Sequence, residues 1–309
     1  MKSRWPLLLS LLPLLGGLAV YGQFWRGWAA GFETTLAGWF PGRSPAVSGF
    51  PYRLEAEVPG VKLARGGAVV TVDRLRLNRG PWRPELTVMQ GQGVTLAAAV
   101  AGLAPRLSAA VGTASLKLAG SRLERFSVVL PAARGNAGIG PDFTAQSAQL
   151  HLREIEIAKP LAAARAQVVI AATGFRLGQG APIDLDGDFA VRGAAPLRDY
   201  RRWAAAGGSV DAVLTGRDAT GEIFKLDATL VPLAGGLRLA GTVVTSCPLA
   251  VQAALNGTPA PAELRLRSSV RLALETALPA GGPVAISGLP ADLARRARRG
   301  QVPACPSLR

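Results

Sequence analysis

The amino-acid sequence predicts a mainly β protein of the α+β class. An N-terminal transmembrane helix is expected to precede an elongated antiparallel β-sheet, shaped as a groove or as a sandwich, with a few short helices. Three observations lead to this prediction. The chain begins with a long uncharged run, apolar and polar residues alternate from Tyr52 onward, and glycine, proline, asparagine and aspartate separate the alternating runs.

Residues 1–25 are predicted to be a cytoplasmic tail and a transmembrane anchor. No charged residue lies between Arg4 and Arg26, and about 20 apolar residues in a helix span a hydrocarbon core of ~30 Å. Lys2 and Arg4 place the short tail in the cytoplasm. This predicts a single-pass protein of the inner membrane with its C-terminal domain in the periplasm. The alternative is a cleaved signal peptide, which the basic start and the leucine-rich stretch also fit.

Residues 26–45 are predicted to form a juxtamembrane helix and a linker. Aromatic residues recur along one face of this stretch, and Pro41 and Gly42 are expected to end the helix.

The remaining residues, 46–309, are predicted to form one β-rich domain outside the cytoplasm. Their alternating runs are typical of strands with one buried and one solvated face. The predicted strands are 52–58, 69–77, 85–89, 94–100, 115–118, 122–130, 149–157, 166–177, 183–191, 210–215, 222–231, 237–245 and 264–274. Three short helices are predicted at 196–207, 248–256 and 290–299, each followed by or ending near a glycine.

The composition limits the classes of partner. Charged residues make up 18% of the chain and aromatic residues 6%, while the formal net charge is +15. The arginines are spread along predicted strands, without the interleaved aromatic residues on which bases stack. We therefore do not expect a nucleic-acid partner, and a solvated strand face accounts for most of the arginines.

Two short segments carry a resemblance to a known family. The segment Gly49-Phe50-Pro51-Tyr52-Arg53-Leu54 follows a tryptophan-rich helix, and Gly80-Pro81-Trp82-Arg83-Pro84 follows a strand. With the late segment 282–289, they resemble an uncharacterised alphaproteobacterial family of membrane-anchored envelope proteins with a domain of unknown function. The family-like motif residues are Gly49, Phe50, Pro51 and Arg53. The order of elements, an N-terminal anchor followed by β-strands, is also similar to that of AsmA-like envelope proteins. This similarity implies a β groove for lipid acyl chains.

Two further features are candidate sites of a structural kind. Cys247 and Cys305 show no metal-binding spacing, so they are either a disulfide that holds the C-terminal tail or two free thiols. The cluster Arg295, Arg296, Arg298 and Arg299 is either a membrane-surface contact or the solvated end of a short helix.

No arrangement of residues points to catalysis. The single histidine, His151, lies between two leucines of an alternating strand, as expected for a strand-face residue. Asp184, Asp186 and Asp188 share one strand face, but no glutamate follows at the distance that a calcium loop requires. No catalytic, cofactor-binding or metal-binding residue is predicted, and no cofactor is expected.

These observations lead to a functional hypothesis and an alternative to it. The hypothesis is a non-enzymatic, membrane-tethered envelope protein that binds a lipid or another apolar ligand in a β groove. The alternative is a scaffold or adaptor that holds another envelope protein or an anionic polymer. The inner membrane, reached through the N-terminal helix, is the partner expected in both cases.

Overall fold

A computed structural model describes residues 5–120, 122–155, 164–193, 200–279, 284–290 and 303–309, and the side chains of the N-terminal helix from residue 12 onward. Over these residues the chain is a long helix followed by one β-sheet of 13 strands, with two short helices near the later strands. Every strand pairs antiparallel with the next one in the sequence, so the sheet is a meander in chain order from β1 to β13. The prediction of a mainly β, antiparallel architecture is confirmed, in the form of a single sheet.

The strands are mostly long, with 9 to 15 residues in all but the last. Their bounds are β1 Leu54–Arg65, β2 Ala68–Arg79, β3 Leu86–Ala98, β4 Arg106–Ala119, β5 Arg122–Asn136, β6 Phe143–Glu154, β7 Ala166–Leu177, β8 Ile183–Arg192, β9 Ser209–Asp218, β10 Gly221–Leu233, β11 Gly236–Thr245, β12 Val270–Leu278 and β13 Ala285–Ser287.

Several predicted strand boundaries differ from the observed ones, and the largest differences have local causes. The predicted strand 264–274 begins only at Val270, because the residues before it form an irregular segment in which Leu264 makes an isolated bridge to Ala304. The predicted strand 122–130 ends too early, because β5 continues through Pro131 to Asn136 and only 137–142 connects it to β6.

A line of backbone kinks crosses the first seven strands and explains many of the boundaries. Residues of positive φ occur at the same level in every second strand, namely Gly60, Gly93, Ala132 and Gly174, with φ values of 57°, 62°, 48° and 57°. In β1, β2, β4 and β5 two successive residues at this level are exposed, as in Pro59 and Gly60 of β1. The alternation of buried and exposed residues therefore changes phase there, although the pairing register on both sides is the same.

Within the described residues, three helices accompany the sheet: α1 Trp5–Trp39, α2 Tyr200–Ala205 and α3 Pro248–Asn256. One continuous helix, α1, covers both the predicted anchor and the predicted juxtamembrane helix. The prediction of α3 is confirmed, and Gly257 ends it in the left-handed conformation (φ 71°). Of the helix predicted at 196–207, the described part is α2, while the one predicted at 290–299 lies outside the described residues except for Pro290.

No helix within the described residues is long and apolar enough to cross a membrane. Residues 1–11 of the predicted anchor lie outside the residues whose side chains are described.

The sheet curls back on itself. The β3–β4 turn touches the β10–β11 turn, seven strands away in the sheet, so closely that a Cβ atom on Gly102 would collide with the carbonyl oxygen of Gly235. The same Cβ would lie 3.1 Å from Cδ of Pro279, at the end of β12. Because neighbouring strands are each rotated in the same sense, a twist accumulates across such a sheet and brings distant turns together.

Candidate functional site

One face of the sheet is apolar across twelve strands. The pairing register joins directly opposite residues into a transverse row, here called the central row, from β1 to β12. Its members are Ala56, Leu77, Met89, Ala114, Val128, Leu150, Ile170, Gly187, Leu214, Leu226, Val243 and Leu272. None carries a polar side chain. With strands ~4.8 Å apart, the row is about 53 Å long along the sheet.

A second row on the same face is almost as apolar. It comprises Leu54, Arg79, Thr87, Leu116, Phe126, Leu152, Val168, Phe189, Ala212, Ala228, Gly241 and Leu274. Its two polar members satisfy each other, since Arg79 donates hydrogen bonds to Oγ1 of Thr87 from Nε (3.1 Å) and Nη2 (2.9 Å). The face that carries both rows is called the apolar face below.

The residues that alternate with these rows along each strand form the opposite, polar face. The row beside the central row runs Glu57, Arg76, Gln90, Thr113, Val129, Gln149, Ala171, Asp186, Thr215, Lys225, Val244 and Arg271. Several charges here are paired across strands, for example Arg74 with Glu57 at 3.2 Å and Arg238 with Glu275 at 2.6 Å. The arginines of the strands are therefore largely a solvated face, as the sequence predicts.

Helix α1 covers the first end of the apolar face. Phe32 and Leu36 are 1% and 0% exposed and pack on the apolar side chains of β1 and β2. The guanidinium of Arg79 lies 4.3 Å from the ring centroid of Phe32 and 5.8 Å from that of Trp39. Burial lowers the pKa of Arg79, while nearby Glu85 acts to raise it. A buried arginine is held here by aromatic rings and by a hydroxyl group.

The family-like motif fastens α1 to the sheet. The Tyr21 hydroxyl donates a 2.6 Å hydrogen bond to the carbonyl of Pro51, and Trp25 Nε1 donates one of 3.1 Å to the carbonyl of Arg53. The Phe50 ring packs edge-on against Trp25, with centroids 5.5 Å apart. At Gly49, where φ is +98°, a Cβ would lie 2.9 Å from the carbonyl oxygen of Arg53, so the tight turn requires glycine.

Helix α3 and the C-terminal residues cover the other end of the apolar face. Ala250 and Val251 of α3 pack with Val243 and Leu272 of the central row. The tail residue Leu308 is buried in the same cluster.

A disulfide and backbone hydrogen bonds hold this second cover in place. Cys247 and Cys305 form a disulfide with a Cα–Cα distance of 5.7 Å. The tail is also bonded through its backbone, since the amide of Ala181 donates to the carbonyl of Ser307 at 2.7 Å.

A half-buried carboxylate caps α3. The Glu263 side chain accepts hydrogen bonds from the amides of Leu249 (3.2 Å) and Ala250 (3.0 Å) at the N-terminus of α3. Burial raises the pKa of Glu263, and these two amides act in the opposite direction.

A buried ion pair lies close to this cover. Arg265 Nη2 and Asp218 Oδ2 are 2.7 Å apart, and their side chains are only 9% and 17% exposed. Burial acts to raise the pKa of Asp218, but hydrogen bonds from Thr220 and the charge of Arg265 outweigh it, so the pKa is lowered.

Between the two covers the apolar face is only half-buried. In β5 to β9 the large side chains of the central row, Val128, Leu150, Ile170 and Leu214, all keep part of their surface exposed. The small buried cluster here, Ala109, Leu130 and Ala133, has only strand residues as its apolar neighbours. The middle of the apolar face, from β4 to β9, keeps part of its side-chain surface exposed and is called the exposed middle below. It is the candidate binding surface. The periodicity of the sequence does not distinguish these strands from those at the covered ends.

The three aspartates of β8 that the sequence places on one strand face lie on the polar face, and each contacts a different residue. Asp186 pairs with Arg217, Asp188 accepts from the Gln167 amide at 2.8 Å, and Asp184 accepts from the backbone amide of Gly174 at 2.9 Å. No three acidic, histidine or cysteine side chains among the described residues are grouped so that they could hold a metal ion.

His151 is a residue of the solvated strand face. His151 is exposed, with Nδ1 2.9 Å from Oγ of Ser127 on the neighbouring strand. The cluster Arg295, Arg296, Arg298 and Arg299 lies outside the described residues.

The sheet has two open pockets. One of about 280 Å³ lies on the polar face and is lined by Arg74, Arg76, Gln90, Gln92 and Thr113, among others. The other, of about 540 Å³, lies at the β3–β6 strand ends, where Arg106 and Arg134 stand beside Asp142 and the apolar side chains of Leu96, Leu107 and Phe143. The first pocket puts arginine side chains beside amide and hydroxyl groups.

A family model described as an uncharacterised protein conserved in bacteria (DUF2125) matches residues 40–231, which is more than half of the chain. The match includes both segments on which the resemblance rests, at 49–54 and 80–84, and ends before the segment 282–289. Comparisons with curated proteins and with solved structures found no match.

Proposed function

This chain belongs to the DUF2125 family of bacterial proteins, and we propose that it is a non-enzymatic, membrane-tethered module of the cell envelope that binds a lipid chain, or another apolar ligand, on the exposed middle of the apolar face. The observation that carries the proposal is the continuity of the central row. It is apolar across twelve strands, covered at both ends, and half-buried between them.

The chemistry of the middle strands suits an acyl chain. The exposed middle offers aliphatic carbon from Val128, Leu150 and Ile170, with no hydrogen-bonding side chain in the central row. An apolar ligand that covered these groups would gain roughly 25 cal/mol for each Å² of apolar surface removed from water.

The membrane tether in this proposal is residues 1–25, with Lys2 and Arg4 in the cytoplasm. The remainder then lies in the periplasm of an inner-membrane protein. The uncharged run from Trp5 to Trp25 supports this topology. The disulfide between Cys247 and Cys305 suits an oxidising compartment such as the periplasm.

The test compares two substitutions on adjacent residues of β7. Ile170→Gln places an amide in the central row, whereas Val169→Gln places the same amide on the polar face. Both residues are half-buried, which makes them a matched pair. Each full-length variant is extracted gently from its native membrane, and the lipids that it retains are quantified by mass spectrometry.

The proposal expects near-stoichiometric lipid on the wild type and on Val169→Gln, and several-fold less on Ile170→Gln. Circular dichroism must show the same strand content in all three proteins. Equal retention by the two variants, or no retained lipid at all, would contradict binding on the apolar face.

The alternative is a scaffold that holds an envelope protein or an anionic polymer on the polar face. The polar-face pocket lined by Arg74 and Arg76 favours it, because guanidinium groups pair well with carboxylates and phosphates. Cross-linking in intact cells that captures a partner through residues of the polar face, with no retained lipid, would favour the scaffold.

A further inference from the structure

Five large aromatic side chains are exposed at the base of the domain, where α1 first meets the sheet. They come from three separate segments: the helix, the turn before β1 and the turn between β2 and β3. We call them the aromatic collar: Phe24 (61% exposed), Trp28 (37%), Phe50 (47%), Tyr52 (72%) and Trp82 (60%).

Three rings of the collar, those of Phe24, Trp28 and Phe50, pack against other aromatic rings of α1. Phe24 stacks on Trp28 with ring centroids 6.2 Å apart, and Phe50 packs against both Tyr21 and Trp25. The first pair of the β1–β2 ladder, Leu54 with Arg79, sets Tyr52 and Trp82 at the same end of these two strands. Exposed aromatic rings in rigid positions, unlike scattered apolar residues, mark a contact surface.

The helix stands free of the domain immediately before the collar. Leu12, Leu14, Leu15, Leu18 and Val20 are all more than half exposed. Tyr21 makes the first hydrogen bond between α1 and the domain. At ~1.5 Å per residue, the helix from Trp5 to Phe24 is about 30 Å long, which equals the thickness of a hydrocarbon core.

We propose that the aromatic collar seats the base of the domain in the interface of the phospholipid bilayer that anchors α1. Tryptophan and tyrosine prefer the headgroup region, where one end of the side chain is apolar and the other is hydrated. The free segment of α1 leads directly into the collar, and this continuity identifies the bilayer as the occupant. This inference rests on the proposed membrane tether.

The chain is well suited to a labelling test. Its only two cysteines are joined in a disulfide, so a single introduced cysteine can be labelled specifically. Arg83→Cys places an environment-sensitive fluorophore beside Trp82 and leaves the collar intact. Arg65→Cys places it at the opposite end of β1, and both positions are exposed. The full chain is reconstituted into phospholipid vesicles that contain lipids spin-labelled near the headgroup.

The collar predicts that the label at residue 83 is quenched by these lipids and shifts to the blue, whereas the label at residue 65 keeps its aqueous spectrum. Adding Tyr52→Ala and Trp82→Ala should reduce the quenching at residue 83 at least twofold. Leu63→Ala, which removes an exposed apolar residue far from the collar, should leave it unchanged.

Flotation of the vesicles shows whether a failed test overturns the tether or only the collar. A chain that floats with the vesicles but whose label at residue 83 remains aqueous keeps the tether and overturns the collar. A label at residue 83 that is shielded from water without lipid quenching points to a protein on the collar and also overturns it. A chain that does not float overturns the tether, and the collar proposal falls with it.

Discussion

Removal of the disulfide should undock the C-terminal cover of the apolar face. Cys247 is fully buried before α3, and Cys305 lies 58 residues further along the chain. For a closed loop of this length, the chain-entropy relation gives a stabilisation of about 4 kcal/mol. A domain with a typical total stability of roughly 5–15 kcal/mol would lose a large share of it.

The double variant Cys247→Ala and Cys305→Ala tests this value without adding a buried hydroxyl group. Urea unfolding followed by circular dichroism should show a lower midpoint than for the wild type, and the oxidised wild type should move to the same midpoint when it is reduced. Because Leu308 leaves its buried position when the tail undocks, binding of an apolar dye should rise before the main transition.

A substitution elsewhere in the tail provides the control. Leu308→Ala keeps the disulfide and removes only the buried side chain, so it should cost about 2–5 kcal/mol and remain sensitive to reductant. The reasoning would be refuted if the double variant and the wild type unfolded at the same urea concentration. It would equally be refuted if reduction destabilised the double variant as much as the wild type.

Four other outcomes follow from contacts described above. Phe32→Ala should cost about 3–5 kcal/mol in thermal or urea unfolding, because a fully buried ring is lost, whereas Phe24→Ala, at an exposed ring, should cost less than about 1 kcal/mol. The pKa of Asp218 is lowered in the folded state. Its contribution to stability is therefore present above the unfolded pKa of about 3.9 and is lost as the pH falls through the folded pKa. Urea titrations at a series of acidic pH values should show this loss in the wild type and not in Asp218→Asn. The pKa of Glu263 is raised in the folded state, so its effect on stability has the opposite sign. Stability should fall as the pH rises from the unfolded pKa of about 4.3 to the folded pKa. The same titrations on Glu263→Gln should lack that fall. His151→Ala removes an exposed side chain and should change the unfolding free energy by less than about 0.5 kcal/mol.

The sequence predicts the strands well where the alternation keeps its phase. The predicted strands 183–191 and 237–245 each differ by one residue from the observed strands, β8 and β11. These runs show alternation or β-branched residues between turn-forming residues, which is the pattern that a half-buried strand requires.

The line of backbone kinks explains why several predicted strands are shorter than the observed ones. Predicted strands end or begin there in β1, β3 and β5, at Val58, between Met89 and Val94, and at Leu130. Two exposed residues in succession look like a turn in the sequence, but here the backbone changes the phase of the strand without ending it. The pairing on both sides has one register, and only the cross-strand geometry reveals this.

The candidate binding surface is less predictable for a related reason. Alternation indicates which residues share a face within one strand, but not which residues of distant strands stand in one row. The central row depends on eleven successive registers, and its exposure in the middle depends on where α1 and α3 come to rest. The docking of α1 in turn depends on Arg79, a residue that in the sequence resembles the solvated arginines of β2.

The composition of the central row also constrains what the proposed ligand can be. Val128, Leu150, Ile170 and Leu214 offer neither hydrogen bonds nor charge, so contacts along the middle strands distinguish a ligand by its apolar length and width. They cannot distinguish one headgroup from another, because discrimination between polar groups requires a partner whose hydrogen bonds would otherwise be unmet. On this proposal, lipids that differ only in headgroup should compete equally for the middle of the apolar face. A preference for one headgroup would have to arise at the polar residues beyond the rows, where each arginine can be replaced separately.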